Sequence, residues 1–226
     1  MHFLKEPAYI DLVNKRKRCN LCEGLKNPSD FPDYDIAEIG AWSLWQNGLD
    51  ADLLLVGQDW GGIDYFKQHK GRDVGENPTN KNLVTLFHSL GIPIEGPESG
   101  KKNSRLFFTN AILCLKEGGL TTPVEQQFAT VCCSVFLKPL IDLMHPKVVI
   151  ALGKFAYESI AVSYNLRVLP FRDAVENIDG FQIGKNSRLF PVYHCGARGW
   201  NINRKGPVQL EDWKKIGRYL ASGKSI

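Results

Sequence analysis

The fold is decided by one segment, Asp52-Leu53-Leu54-Leu55-Val56-Gly57-Gln58-Asp59-Trp60-Gly61-Gly62. Its first half is an apolar run that ends in glycine, which is typical of a strand buried on both faces of a parallel sheet. The glycine-rich turn that follows lets a ligand approach the backbone and places Asp59 just beyond the strand. An aspartate in such a turn also acts as a local cap, so this motif alone leaves both roles open.

Three further apolar segments predict strands, at 105–111, 147–153 and 188–194. Helical periodicity occupies the intervals between them and follows the last one, and it predicts helices at 82–90, 123–144, 154–164 and 210–221. In the longest helix Thr122 is placed to cap the start, Pro123 would lie in the first turn, and Pro139 predicts a kink or division. The alternation indicates an α/β fold, a three-layer α/β/α sandwich around a central, mainly parallel four-stranded sheet.

Ligand sites in such sheets lie beyond the carboxyl ends of the strands. Three loops follow these ends, at 57–62, 110–115 and 194–198, and each carries glycine or polar residues. We therefore expect them to form one cleft. Residues 1–50 carry a basic run, a CxxC pair and an aromatic stretch instead of the alternating pattern. They are predicted to wrap the sheet as an N-terminal extension of a single domain, 1–226.

Composition excludes several classes of protein. The 226 residues are 43% hydrophobic and 23% charged, which is unlike disordered, collagen-like or coiled-coil chains. No apolar run approaches the roughly 20 residues of a membrane span, and no signal peptide is expected. We expect a cytoplasmic, nucleoid-associated monomer without membrane contact. The net charge of +4 and the basic run Lys15–Arg18 fit either a solvated helix end or an anionic partner.

The six cysteines admit three interpretations. They are Cys19, Cys22, Cys114, Cys132, Cys133 and Cys195. A reducing compartment disfavours disulfides, which leaves buried thiols, a metal site or a nucleophile. Cys19 and Cys22 form a CxxC pair, which is ambiguous by itself.

Three motifs stand in order at the predicted strand ends: Val56-Gly57-Gln58-Asp59, Phe108-Thr109-Asn110-Ala111 and Val192-Tyr193-His194. Together they resemble the uracil-DNA glycosylase superfamily, in which a GQDPY or GEAPG motif, an asparagine and a histidine-led HPS loop occupy these places. The resemblance covers roughly residues 15 to 220. The stretch 140–153 is similar to the iron-sulfur branch of that superfamily.

The resemblance implies a DNA base-excision glycosylase that hydrolyses the N-glycosidic bond of uracil or a related deaminated base and leaves an abasic site. It implies catalytic roles for Asp59 and His194, and a uracil-reading role for Asn110. The other substrate-binding residues would be Gly57, Gln58 and Trp60, with Arg198, Arg204 and Lys205 binding the DNA backbone. The partner implied is DNA that contains a damaged or deaminated base.

The same resemblance implies a [4Fe-4S] cluster held by Cys19, Cys22, Cys114 and Cys133. Counting back from Pro146 favours Cys133 over Cys132 as the fourth ligand. A zinc ion on the same four cysteines is the main alternative, and unligated buried thiols are another. Either metal site would have a structural role.

Several positions depart from the family pattern. Asp59 matches the GQDPY branch, whereas the iron-sulfur branch usually has alanine there, and Trp60 and Gly61 replace the proline and tyrosine of that motif. The HPS loop becomes His194-Cys195-Gly196. The aromatic that stacks on the base is one of Trp60, Tyr65 and Phe66, and the wedge that enters the DNA is Arg198 or Trp200. A Cys195–His194 nucleophile pair is disfavoured because adjacent strand residues point apart.

These departures keep two other functions open. One is a damaged-DNA-binding member of the superfamily that does not turn over, or that traps its product covalently through the loop histidine. The other is a relative that acts on a different nucleobase or nucleoside.

Overall fold

The structure, a computed structural model, describes residues 2–119 and 122–222. Within them one sheet has the strand order β2-β1-β3-β5-β4. The strands are β1 (Leu53–Gly57), β2 (Leu106–Asn110), β3 (Val148–Leu152), β4 (Phe181–Ile183) and β5 (Ser187–Val192). The first three and β5 pair in parallel, and β4 pairs antiparallel with β5 at the sheet edge.

Helices cover both faces of the sheet. They are α1 (His2–Lys17), α2 (Ile63–Gln68), α3 (Pro78–Ser89), α4 (Gln126–Cys132), α5 (Lys138–Met144), α6 (Lys154–Ser163), α7 (Phe171–Glu176) and α8 (Gly206–Ala221). A π-helical turn, Cys133–Leu137, joins α4 to α5.

The sheet separates two apolar layers. Leu54 and Phe107 pack with residues of α1 and of the α4–α6 region, whereas Leu55 and Phe108 pack with residues of α3 and α8. Neighbouring strand residues therefore enter opposite layers, as the period of a strand requires. The predicted three-layer α/β/α sandwich is confirmed. The sheet has five strands rather than the predicted four, because β4 is only three residues long and carries no distinct apolar run.

Helices α3 and α4 begin at other residues than the sequence predicted. The Asn77 side chain accepts a hydrogen bond from the Thr79 N–H, so α3 begins at Pro78 rather than at residue 82. The long helix begins at Gln126, with Glu125 and not Thr122 at the capping position. Pro139 lies in the first turn of α5, where its missing N–H costs little, and the irregularity is the π turn before it.

The helical stretch Gln126–Met144 is long and apolar enough to cross a membrane by length and composition. The sequence prediction of no such run missed it because charged and polar residues interrupt its apolar residues. Phe136, Leu140 and Ile141 pack in the core beneath the sheet. The stretch therefore behaves as a core helix of this domain.

A buried ion pair inside the N-terminal extension joins α1 to the segment that follows it. Arg16 is 2% exposed and its Nη1 lies 2.6 Å from Asp35 Oδ1. Its Nη2 donates to the carbonyls of Ile36 and Glu38. One member of the basic run is therefore structural, whereas Lys15 and Arg18 remain exposed.

Candidate active site

The carboxyl ends of β1, β2 and β5 open into one cleft of about 600 Å³. Its lining includes Gln58, Asp59, Trp60, Asn110, His194 and Arg198. The three loops that were predicted to converge do meet here.

Backbone hydrogen bonds fix the first loop to the second. The N–H groups of Ala111 and Ile112 donate to the carbonyls of Gly57 and Gln58, at 2.8 and 2.9 Å. A Cβ atom at Gly57 would lie 2.7 Å from the Trp42 ring and 2.8 Å from Asn110 Nδ2. Glycine is thus required at the end of β1, because the indole and the amide crowd against its backbone.

Asn110 presents an unpartnered amide to the cleft. The residue is only 4% exposed, and its amide forms no hydrogen bond with the described part of the chain, yet the amide atoms are not sealed from the cleft. This amide can offer one donor and one acceptor to a ligand.

Asp59 has one anchored and one open carboxylate oxygen. Its Oδ2 accepts from Gln58 Nε2 at 2.7 Å and lies 3.2 Å from Lys116 Nζ. Its Oδ1 has no partner among residues 2–119 and 122–222 and is not sealed from solvent. The carboxylate therefore turns one oxygen toward the cleft.

His194 is held in one tautomer. The Gly196 N–H donates to His194 Nδ1 at 3.1 Å, so a neutral ring carries its proton on Nε2. Burial by the surrounding walls lowers the pKa of His194, and nearby Asp59 opposes this effect. The ring is nevertheless accessible through the cleft. His194 is suited to donate a hydrogen bond while uncharged.

Two indoles line the cleft. The first is Trp60, whose ring centroid lies 5.0 Å from that of Tyr65 and 5.5 Å from that of Phe66 behind it. Of the three predicted stacking candidates, Trp60 is the one that lines the cleft. Trp42 is a second wall that sequence reasoning missed, because its aromatic segment precedes β1 and carries no motif.

A polar wall faces these groups and was also missed. It comprises Asp73, Asn77, Thr79 and Asn80. Burial raises the pKa of Asp73 to about 6, opposed by the Asn80 amide and the Trp60 indole. Asn80 Nδ2 donates to Asp73 Oδ1 at 3.3 Å. A polar segment without periodicity gave no signal for this wall.

The predicted DNA-binding residues differ in availability. Arg198 lies exposed at the cleft rim, and Lys205 is exposed before α8. Arg204 is committed to Asp212, with Nε–Oδ2 and Nη2–Oδ1 distances of 2.6 and 2.8 Å. Its guanidinium also lies over the Tyr193 ring. Arg204 therefore supports the loop. Of the three predicted DNA-binding residues, Arg198 and Lys205 are the ones left exposed to contact the DNA backbone as predicted.

Some of the other side chains of this loop pack into the protein and others are exposed to solvent. Trp200 is half-buried against the second core layer, whereas Ile202 is 71% exposed. Cys195 is fully buried, its thiol faces the Thr79 carbonyl, and burial raises its pKa. A thiol kept protonated and turned toward α3 makes no nucleophile pair with His194.

Cys19, Cys22 and Cys114 share one neighbourhood. Burial raises the pKa of Cys114 to about 12, with Cys22 and Cys19 adding to the effect. Burial raises the pKa of the Cys132 thiol, while the Cys133 thiol turns to the Ala111 carbonyl at 3.6 Å. Thiol donors fit the chemistry of an iron-sulfur or zinc site. Within the described ranges, however, no three metal-ligating side chains close to metal-binding distance.

A family model described as the Uracil DNA glycosylase superfamily matches residues 46–216. The chain belongs to this superfamily. The match includes the three loops that form the cleft, and it excludes the CxxC pair and most of the N-terminal extension. A search of curated proteins found none that matches the chain. Superfamily membership supports a glycosylase-like hydrolase that acts on DNA.

Proposed function

We propose that this member of the uracil-DNA glycosylase superfamily hydrolyses the N-glycosidic bond of uracil, or of a related deaminated base, in DNA. The observation that carries the proposal is the unpartnered Asn110 amide, buried in the cleft that Asp59 and His194 also line. A superfamily member with these three groups in one cleft has what base removal requires. The action on DNA fits a cytoplasmic location.

Base recognition falls to the Asn110 amide and the indoles. A base inside duplex DNA is unreachable, so the nucleotide must leave the stack and enter the cleft. The amide then donates to uracil O4 and accepts from N3–H, a pair of bonds that cytosine does not match. Trp60 supplies a flat apolar surface for the ring.

His194 and Asp59 carry out bond cleavage. The glycosidic bond breaks with its electron pair leaving on the base, and the Nε2–H of neutral His194 stabilises the resulting anion. The sugar cation is stabilised by the Asp59 carboxylate. Water adds to C1′, and its released proton passes to the open oxygen of Asp59 and then to solvent. The base anion takes up a proton from solvent, so the products are a free base and an abasic site.

Residues outside the cleft would hold an iron-sulfur cluster as a structural element. The donors would be the predicted set, Cys19, Cys22, Cys114 and Cys133, and the adjacent buried thiol of Cys132 is the alternative fourth ligand. When bound, the cluster would cross-link the extension to the loop after β2, and base removal needs no redox step from it.

Serine variants distinguish the two thiols. Purified Cys133→Ser is expected to lose iron, sulfide and absorbance near ~400 nm, while Cys132→Ser keeps them. The reverse result would make Cys132 the ligand. A colourless wild-type protein with stoichiometric zinc would contradict the cluster.

The polar wall supports keeping a second base class in the test. Asp73, Asn77 and Thr79 line one side of the cleft. Their oxygens can accept from the second N–H of xanthine, which uracil and hypoxanthine lack. Xanthine is therefore assayed beside uracil, with hypoxanthine as the purine that lacks the second N–H.

The test is base release from single- and double-stranded oligonucleotides that contain uracil, hypoxanthine or xanthine. Alkali-dependent strand cleavage is expected with at least one of them, lost in Asp59→Ala and His194→Ala. His88→Ala, which changes an exposed histidine on α3, is the matched control. Absence of product from every substrate would contradict the proposal.

The same gels report covalent capture, the alternative function. Capture needs a histidine nitrogen with a free lone pair in the cleft, whereas here Nδ1 is the acceptor for Gly196 N–H. We expect no denaturant-resistant band. Such a band, lost in His194→Ala, would favour the trapping function over turnover.

A further inference from the structure

We propose that Lys116 is a positioning residue for base removal, and that its ammonium group holds the Asp59 carboxylate ionised and oriented. The inference rests on the proposed function, in which Asp59 stabilises the sugar cation. Neither sequence motifs nor the family match single out Lys116, which lies in the loop after β2.

The ion pair is nearly closed to solvent. Lys116 Nζ lies 3.2 Å from Asp59 Oδ2, and the two side chains are 5% and 6% exposed. Gln58 Nε2 donates to the same oxygen at 2.7 Å. Two donors on one oxygen fix the rotation of the carboxylate and leave Oδ1 facing the cleft.

Stability alone gives a poor reason for this pair. Removing two charges from water costs about as much as their attraction returns, so buried ion pairs add little net stability. Without the cation, however, the buried carboxylate would bind a proton more readily and could rotate. A protonated Asp59 neither stabilises the sugar cation nor accepts a proton from water. The pair therefore serves the chemistry of the cleft.

The backbone holds Lys116 where this role requires it. Its carbonyl accepts from Ile63 N–H at 3.1 Å, and its N–H approaches the Gly61 carbonyl at 3.4 Å. The preceding residue, Leu115, pairs in both directions with Lys26 of the N-terminal extension. The segment 115–116 thus connects the extension to the loop that carries Asp59.

Other ionisable groups share the cleft and enter any pH profile. His194 faces Asp59 from the end of β5, Asp73 lies on the polar wall, and Arg198 lies at the rim. The effect of Lys116 is separated from theirs by comparing variants that leave these three side chains unchanged.

The experiment measures single-turnover base release against pH for the full-length wild type, Lys116→Met, Lys116→Arg and Lys26→Met. Lys116→Met is expected to slow release on the order of 10²-fold at neutral pH, with DNA affinity little changed. Its acid limb moves to higher pH. Lys116→Arg recovers a large part of the rate and the acid limb. The exposed control, Lys26→Met, behaves as wild type.

A second readout does not depend on turnover. Carboxyl-carbon NMR follows proton binding at Asp59, and its midpoint is expected at higher pH in Lys116→Met than in the wild type. An unchanged midpoint, or a pH-independent loss of rate that Lys116→Arg does not recover, would overturn the inference. A wild type that releases no base would contradict the proposed function instead, and the NMR comparison would still decide the role of Lys116.

Discussion

At the scale of single residues, the cleft is defined by how each polar group is satisfied. The Asn110 amide has no hydrogen-bond partner among residues 2–119 and 122–222, Asp59 is anchored through one oxygen, and His194 accepts a backbone N–H at one nitrogen. These arrangements determine which atoms remain available to a nucleotide. They also give two pH-dependent predictions, one for His194 and one for Asp73.

The first prediction concerns the pH dependence of catalysis. Burial lowers the pKa of His194, so the ring stays neutral below the ordinary imidazole value of about 6.5. Base release should hold its rate through neutral pH and decline only at more acid pH. His194→Ala should cost on the order of 10²–10³-fold, the effect of removing one donor to a developing anion. A rate that rises as the pH falls below neutral would show that the charged ring is active.

The second prediction concerns stability. The folded pKa of Asp73, about 6, lies above its ordinary value of 3.8, so the folded protein binds this proton more tightly. The stability that it contributes is present at low pH and is lost as the pH rises through that interval. As the pH rises from 3.8 to about 6, urea unfolding should show the unfolding free energy of the wild type falling relative to that of Asp73→Asn. A pH-independent difference would contradict the burial of this carboxyl.

At the scale of elements, the loop between β5 and α8 combines anchoring with exposure. Asn82 of α3 donates to the Cys195 carbonyl at 2.7 Å, and the Arg204–Asp212 pair closes the other end. Between these anchors Arg198 and Ile202 project outward. If the cleft binds an extruded base as proposed, the exposed aliphatic side chain of Ile202 is suited to fill the gap that the nucleotide leaves.

The third prediction follows from that arrangement. Ile202→Ala should slow base release from double-stranded DNA and leave release from single-stranded DNA near the wild-type rate, because only the duplex has a gap to fill. Val208→Ala, an exposed aliphatic on α8, is the control. Equal losses on both substrates would remove Ile202 from this role. Arg198→Ala tests the wedge predicted from sequence in the same assay.

Sequence patterns predicted these elements unevenly, for physical reasons. The buried parallel strands stand out because both faces are apolar, as in β1. The edge strand β4 and the polar wall at Asp73 lack such a signal, since their contacts come from distant segments. The ion pair of Lys116 with Asp59 spans 57 positions and has no local pattern.

At the scale of the whole molecule, the extension and the domain form one packed unit. Arg16 enters the interior from α1 and pairs with Asp35, while Tyr9 packs edge-on against Phe107 of β2. The isolated bridge between Lys26 and Leu115 brings the extension to the loop beside the cleft. The extension therefore supports the site without lining most of it.

The fourth prediction tests the buried ion pair that holds α1 within the extension. Arg16→Met leaves Asp35 buried beside only Lys17, a partner 3.3 Å away that is 37% exposed. Loss of one member of a buried pair typically costs about 3–5 kcal/mol of unfolding free energy. Lys15→Met changes an exposed neighbour and should stay within about 0.5 kcal/mol of wild type. Chemical denaturation measures both, and equal effects would contradict the buried anchor.

If the Asn110 amide reads a deaminated base that is then released, its loss must slow the appearance of free base. Chromatography detects free base from uracil-containing DNA for wild type, Asn110→Ala and the exposed control Asn14→Ala. Stoichiometric uracil is expected from wild type and Asn14→Ala, with release slowed on the order of 10²-fold or more in Asn110→Ala. Equal release by Asn110→Ala and wild type would show that this amide does not read the base.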